Sequence, residues 1–583
     1  MKSTPKVRML FACFGLATFF TIFSYRLIFL QVVKHDEYTA LAAEKHVNKV
    51  TIYATRASIQ DIHQEILADN EPIKTVIADG SLITNAGAMA DLLSKPLAMD
   101  RNKLEEMLVT DRRYVVIKKG VPESTANDLA NVMRRRSMRG IYFEQDSSRV
   151  YPNGSMLCHV LGFVDHTHLG VDGIEKAMNQ YLSGHDGFRF TEHDRTGKEI
   201  VPYRGQERPA RAGCTVRLTI DMGLQNIVEN ELDAAVKQFR PKSAIVILMK
   251  PQTGEILALA NRPNFDLNNV GDTPIENMKN RAIMDMVEPG SIFKIVTASA
   301  ALNEKLVTPD SMIFCENGRF NFAGKILKDH HGYADLSVYD ILMKSSNIGA
   351  AKLGMMLGEQ RLYEYIRRFG FGERTGISLP GEINGLVHPP HQWSKISISR
   401  IPMGQGVGVT PMQTVAAMAA VANGGHLMMP QIVHEIVDET GATVASYPPV
   451  EIRRVISEKV SKEMRDALTR VVSKQGTAAL AAVAGFVVAG KTGTAQIPIP
   501  GGGGYYDDKY VASFEGFMPA ENPAFVALVM ISEPKTGAEQ YYGGLVSAPV
   551  FSRIAEKAAR YLNLEPHPED NQVNKMIITD RRN

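Results

Sequence analysis

A chain of 583 residues that is 44% apolar and 22% charged has the size and balance of two or more packed domains, which excludes wholesale disorder. A net charge of +2 excludes the strongly basic footprint by which proteins hold DNA or RNA, so no nucleic-acid partner is expected. Four cysteines, Cys13, Cys158, Cys214 and Cys315, lack CxxC spacing and indicate neither a zinc site nor a redox pair.

At the amino terminus, Lys2, Lys6 and Arg8 precede an apolar run from Met9 to Tyr25 that continues past Arg26 to Leu30. Such a run spans the roughly 30 Å hydrocarbon core, with Arg26 snorkelling to the far interface. The leading positive charges place residues 1–8 in the cytoplasm, so 9–33 is expected as a single transmembrane anchor with the rest of the chain exported. A cleaved signal peptide is the weaker reading: Ala40-Leu41-Ala42 has the small-x-small form, but Lys34, His35, Asp36 and Glu37 separate it from the apolar core.

Residues 34–215 mix short β-like runs, such as Tyr114 to Lys118, with helical stretches such as Glu123 to Arg136. The basic run Arg134, Arg135, Arg136 and Arg139 reads as a solvated face. Pro209 to Gly213 then punctuates the chain before Val216 to Asp221, a strand leading into a helix, and sets a domain boundary at 215/216. The second domain, 216–565, opens with an amphipathic helix from Leu224 to Phe239 and a buried strand from Ser243 to Met249. Thr253-Gly254-Glu255 turns that strand into a hairpin partner, Ile256 to Ala260. Strands recur at Phe486 to Gly490, Tyr510 to Phe517 and Ala524 to Ile531. Strands at both ends of a helical middle predict an α+β fold, an antiparallel sheet packed against helices. Residues 566–583 read as a loose tail.

Three short motifs carry chemistry. SxxK occurs at Ser3, Ser291 and Ser532, and KTG at Lys491 and Lys535, so no single match is selective. Context separates them. Ser3 precedes the anchor, and Pro534 interrupts the third SxxK. Ser291 opens a strongly helical stretch that puts Lys294 one turn away on the same face. An N-cap role competes for Ser291, although Lys294 is not the Glu or Gln of a capping box. Ser345-Ser346-Asn347, the one SxN in the chain, follows a predicted helix from Val338 to Lys344, where it would also serve as a turn or cap. Lys491-Thr492-Gly493-Thr494 reads as an edge strand on which Gly493 allows close backbone approach, whereas Lys535 sits in a loop-like setting. The adjacent His330 and His331 lack HExxH or matching carboxylate spacing and read as loop residues.

SxxK, SxN and KTG in that order form the motif set of the penicillin-binding proteins and class A β-lactamases. With Glu288-Pro289-Gly290 before Ser291, Gly404-Gln405-Gly406-Val407-Gly408-Val409-Thr410-Pro411, and Ala495 after Thr494, the chain resembles the class B penicillin-binding proteins over nearly its whole length. Arg149 to Gly154, Gly173-Ile174-Glu175 and Leu182 to Gly187 resemble that family's elongated non-catalytic pedestal domain. Arg56 to Ala68 departs from the usual RGxIxDRxGxxLA by losing both glycines, which puts the local turn in question.

The resemblance implies a peptidoglycan D,D-transpeptidase. Ser291 would attack the D-Ala-D-Ala carbonyl of a donor stem peptide, with Lys294 as base and Lys491 as the neighbouring cation that favours its neutral form. Ser345 would relay a proton to the leaving amine, and Asn347 would hold the substrate amide. The backbone N–H groups of Ser291 and Thr494 would form an oxyanion hole, and the Thr492 and Thr494 hydroxyls beside Gly493 would bind the carboxylate. No metal or organic cofactor is implied. The implied partners are stem peptides as donor and acceptor, β-lactams as inhibitors, a SEDS-type glycan polymerase in the inner membrane and divisome proteins. The cell-division member is the nearer match, from Gly162-Phe163-Val164-Asp165 and Lys344 to Lys352, with the elongation-specific member as the alternative. A D,D-carboxypeptidase, a β-lactamase or a β-lactam sensor would share the fold and differ in product.

Overall fold

The computed structural model describes residues 5–38, 47–193, 199–536 and 541–566. Ala40-Leu41-Ala42 and the tail from 567 lie outside the described residues. The chain divides into two compact units.

The first unit comprises residues 1–55 and 183–213. Its helix α1, Pro5–Ile28, continues through a π-turn at Phe29–Val33. The 29 residues are long and apolar enough to cross a membrane, and none of the segment is buried. The same unit holds a three-stranded antiparallel sheet of Val47–Ile52, Gly187–His193 and Glu199–Arg208, with Gly187–His193 in the middle.

The second unit comprises residues 56–182 and 214–583. Its central sheet has five strands: β1 (Ser243–Met249), β2 (Ile256–Arg262), β3 (Ala489–Pro498), β4 (Tyr505–Met518) and β5 (Phe525–Ser532). They run in the order β2-β1-β5-β4-β3, every neighbouring pair antiparallel, which leaves β3 on an edge. Every residue of β1 is buried, as expected for an inner strand covered on both faces. The hairpin between β1 and β2 forms as the sequence predicts. Strand β3 starts at Ala489 rather than Phe486, because Val483 and Phe486 bridge each other around Gly485, whose φ is +83°.

Helix α2 (Met222–Phe239) starts at Asp221, whose Oδ1 accepts Leu224 N at 3.1 Å. Four further helices are α3 (Lys294–Asn303), α4 (Val338–Lys344), α5 (Asn347–Arg368) and α6 (Pro411–Ala422). A Thr410–Gln413 capping box starts α6, which is buried along its whole length and packs on β4 and β5. Helix α7 (Glu458–Val471) packs on β3, and α8 (Ala548–Tyr561) packs on α2, β4 and β5. The helical middle also holds three small ribbons among the described residues, Met312–Phe314 with Asp335–Ser337, Arg319–Phe322 with Lys325–Lys328 and His426–Met428 with Glu451–Arg454, which periodicity does not reveal.

A seven-stranded sheet in the same unit joins Thr215–Leu218 in parallel to Ile59–Gln60 and antiparallel to Val433–Val437. Beside it the pedestal segments meet on one carboxylate. Arg56 Nε reaches Glu175 Oε2 at 2.7 Å, and Arg149 Nε reaches Oε1 at 2.7 Å. Glu175 is fully buried, and paired guanidiniums are what make that tolerable.

The departure from the family's turn glycine is resolved by the backbone. Asp61 N donates to Glu65 O at 3.0 Å, and Asp61 Oδ1 accepts His63 N and Glu65 N, both at 2.8 Å. Gln64 stands where the family has its second glycine and adopts the left-handed conformation, φ +71°, without one. Gln64 N donates to Asp61 O at 3.1 Å, but among the described residues its exposed side chain makes no bond that offsets this strain, so Gln64→Gly is expected to stabilise the chain by about 1 kcal/mol, read as a higher midpoint of thermal or urea unfolding.

Candidate active site

The nucleophile candidate sits on a 3-10 turn, Gly290–Phe293, that runs directly into α3. Neither helix start is capped by a side chain, so Ser291 is not an N-cap. It is half-exposed, while Lys294, the first residue of α3, is 1% exposed. Gly404 lets a second backbone press on this turn: a Cβ built there would lie 2.2 Å from Gly290 O. The glycine-rich segment at 404–408 is therefore a prop for the Ser291 turn.

Ser345 ends α4 in the left-handed conformation, φ 60° and ψ 39°, which swings its hydroxyl between two amines. Lys294 Nζ donates to Ser345 O at 2.6 Å and to Asn347 Oδ1 at 2.8 Å, and lies 3.1 Å from Ser345 Oγ. Lys491 Nζ reaches the same Oγ at 2.9 Å. The cap reading of the triplet holds for its middle member: Ser346 Oγ accepts Gly349 N at 2.9 Å and starts α5. Asn347 Nδ2 donates to Lys328 O at 3.1 Å.

Both amines are removed from water, and burial favours their neutral forms. Lys294 is pushed down to about 7 by burial, with the charge of Asp329 acting in the opposite direction. Lys491 is driven well below the usual lysine range by burial and then by the charge on Lys294. The expected second cation is thus itself pushed toward neutrality.

Strand β3 forms the other wall. A Cβ on Gly493 would lie 2.3 Å from Ser513 Oγ and 3.2 Å from Pro289 O, so only glycine lets the strand come this close to the Ser291 turn. Side chains alternate along β3, so Thr492 and Thr494 share the face opposite Lys491 and Gly493. Thr492 is 8% exposed and its Oγ1 is 2.9 Å from Thr477 Oγ1. Thr494 is half-exposed, and its Oγ1 accepts Gly543 N at 3.1 Å, which leaves its hydrogen free to donate.

Two groups escape sequence reading. Asp329 accepts Ser346 Oγ at 2.6 Å and Ile348 N at 3.1 Å, and also takes Asn347 N, so one carboxylate holds the start of α5 and the triplet together. Glu515 lies directly opposite Lys491 in the β3–β4 register, is fully buried, and among the described residues neither of its oxygens has a hydrogen-bond partner. Burial drives its carboxyl well above the usual range. Of the histidines, His330 packs edge-on against Tyr542 and His331 against Tyr333.

A hydroxyl at a helix start, a serine set between two buried amines and an edge strand open to an extended peptide define a serine acyl-transferase built for peptide substrates. Residues 244–556 match the family described as penicillin binding protein transpeptidase domain, and residues 51–218 match the penicillin-binding protein dimerisation domain. The chain belongs to the class B penicillin-binding proteins and is a peptidoglycan D,D-transpeptidase. It is 34% identical to stage V sporulation protein D of Bacillus subtilis, over 98% of this chain and 88% of the relative. It is 32% identical to peptidoglycan D,D-transpeptidase FtsI of Escherichia coli K12, over 93% of this chain and 89% of the relative. Among solved structures it is similar to penicillin-binding protein 3 of Mycobacterium tuberculosis complexed with aztreonam. That comparison has a TM-score of 0.70 and 28% identity, covering 89% of this chain and 98% of the other.

Proposed function

We propose that the chain cross-links stem peptides in septal wall synthesis through an acyl-enzyme on Ser291. The observation that carries the chemistry is the placement of Ser345 Oγ 3.1 Å from Lys294 Nζ and 2.9 Å from Lys491 Nζ. Neutral Lys294 takes the Ser291 proton as Oγ attacks the D-Ala-D-Ala carbonyl, and Ser345 passes a proton to the departing D-alanine amine. The Ser291 and Thr494 N–H groups stabilise the oxyanion, and Asn347 holds the donor amide. A substrate carboxylate on Thr494 brings negative charge beside Lys491 and restores its proton, so donor binding itself sets Lys491 as the cation. Thr492 shares the Thr494 face of β3 and adds a second hydroxyl for the carboxylate, itself bonded to Thr477.

The apolar helix Pro5–Val33, preceded by Lys2, supports a single anchor with a cytoplasmic amino terminus and the enzyme outside the inner membrane. A SEDS-type glycan polymerase and divisome proteins are the partners such an arrangement serves. The likeness to FtsI supports the septal role, and the likeness to a sporulation protein keeps specialised septa as the second reading. Depletion of the protein in its own host is expected to give undivided filaments. Rounded, swollen cells would assign it to elongation, and normal vegetative growth with failed spores to the second reading.

A further inference from the structure

Glu515 is a buried carboxyl beside the reacting groups that the mechanism above does not use. Its Cα is paired with that of Lys491 across β3 and β4. Directly opposite residues of an antiparallel pair point to the same face with Cβ atoms about 5 Å apart, so the two side chains leave the sheet as neighbours. That face carries the nucleophile turn: a Cβ on Gly493, two residues along β3, would lie 3.1 Å from the Ile292 side chain. Phe514 points the other way and meets Phe551 of α8 with ring centroids 4.8 Å apart.

The bonding of the two groups is complementary. Lys491 and Glu515 are both 0% exposed. Lys491 Nζ donates to Ser345 Oγ at 2.9 Å and to Thr492 O at 3.2 Å, and among the described residues it has no third partner. A neutral amine spends both hydrogens in those bonds and keeps a lone pair. Neither oxygen of Glu515 has any partner among the described residues, and a buried carboxyl without one is costly. An amine lacking its third partner therefore stands opposite an acid lacking any.

The elements around the pair bring in one further charge among the described residues. β5 sets Leu528 opposite Glu515, and α6, which packs on β4, has no ionisable residue. None of the ionisable residues of α7 is buried, and α3 turns in only Lys294. On the opposite face, Arg553 and Lys557 of α8 pair with Glu231, and Arg560 pairs with Glu556. Burial disfavours charge on Glu515 and on Lys491 alike.

We propose that Glu515 is the proton store of Lys491, a positioning residue that holds one proton in the free enzyme and yields it to the amine when the donor's carboxylate binds. This rests on Lys491 becoming the cation on donor binding. The O–H bond of the Glu515 carboxyl breaks, the proton forms the third N–H of Lys491, and the carboxylate left behind faces the ammonium it has made. The donor's negative charge arrives at the β3 edge, one strand nearer Lys491 than Glu515, and so draws the proton outward. The pair's proton count does not change, so nothing is taken from solvent.

The test counts protons. The full chain in detergent micelles is acylated by benzylpenicillin, which carries the carboxylate, in weakly buffered solution with an indicator dye. The pH is 8, above the Lys294 value of about 7. Wild type is expected to take up about no proton per acyl-enzyme and Glu515→Gln about one, because its Lys491 must draw on water. Glu515→Asp, which keeps the acid, is expected to behave as wild type. A structural role alone would lower the unfolding midpoint and leave the count unmoved. Equal counts in wild type and Glu515→Gln overturn the proposal: one proton each leaves Lys491 as the donor-set cation, and none each removes that reading as well. If Glu515→Gln fails to fold or to label, wild type decides alone. Infrared difference spectra of protein carrying 13C at its glutamate carboxyls are expected to lose a protonated-carboxyl band on acylation, and an unchanged band overturns the proposal.

Discussion

Arginine at position 294 is expected to leave a folded protein whose acylation by fluorescent penicillin is slowed about a thousandfold, within the usual weight of a general base. A guanidinium keeps positive charge in the pocket but cannot give up its proton to become a base. Ser291→Ala is expected to take up no label at all, because the ester oxygen is gone. The wild-type pH profile follows from Lys294 at about 7. The neutral amine is the working form, so acylation rises with pH through neutrality and falls about tenfold per unit below it, to about a hundredth at pH 5. Stopped-flow acylation from pH 5 to 9 measures this directly. A flat profile, or labelling that persists in Ser291→Ala, removes the assignment of base or nucleophile.

Asp329→Ala is expected to cost about a hundredfold in acylation without touching any residue of the three motifs. The carboxylate accepts from Ser346 Oγ, Asn347 N and Ile348 N. Without it the triplet can drift, and a misplacement of about 1 Å in a positioned group is worth a factor of about 10² in rate. A second readout separates this from general damage. Asp329 raises Lys294 against the effect of burial, so its removal lowers the amine further and moves the midpoint of the acylation profile to the acid side of 7. Loss of rate with an unmoved midpoint would show that Asp329 only scaffolds the turn.

Much of this was legible in the sequence because the chemistry restricts residue types. A serine one turn before a lysine, a lone SxN and a glycine on an edge strand are short patterns, and helix, turn and strand periodicity places each on its element. Asp329 was not legible: it lies 18 residues before Asn347 with no periodic relation to it, and an aspartate beside two histidines gives no local sign of capping a helix in space. Glu515 is hidden for a different reason. In β4 it occupies a core position by register, and a carboxylate inside Tyr505–Met518 argues locally for a solvent face. Gln64 shows the limit of reading a turn from glycines: a bonded aspartate, Asp61, holds the backbone where the residue type does not favour it.

The four residues Thr215–Leu218 lie between a strand from far upstream and another from far downstream. A shortened gene that begins at codon 216 would therefore yield a protein with a raw sheet margin where Ile59–Gln60 belongs, and such margins recruit other chains and precipitate. A soluble reagent for inhibitor screening should start ahead of Arg56, keeping that strand and the arginine that neutralises Glu175.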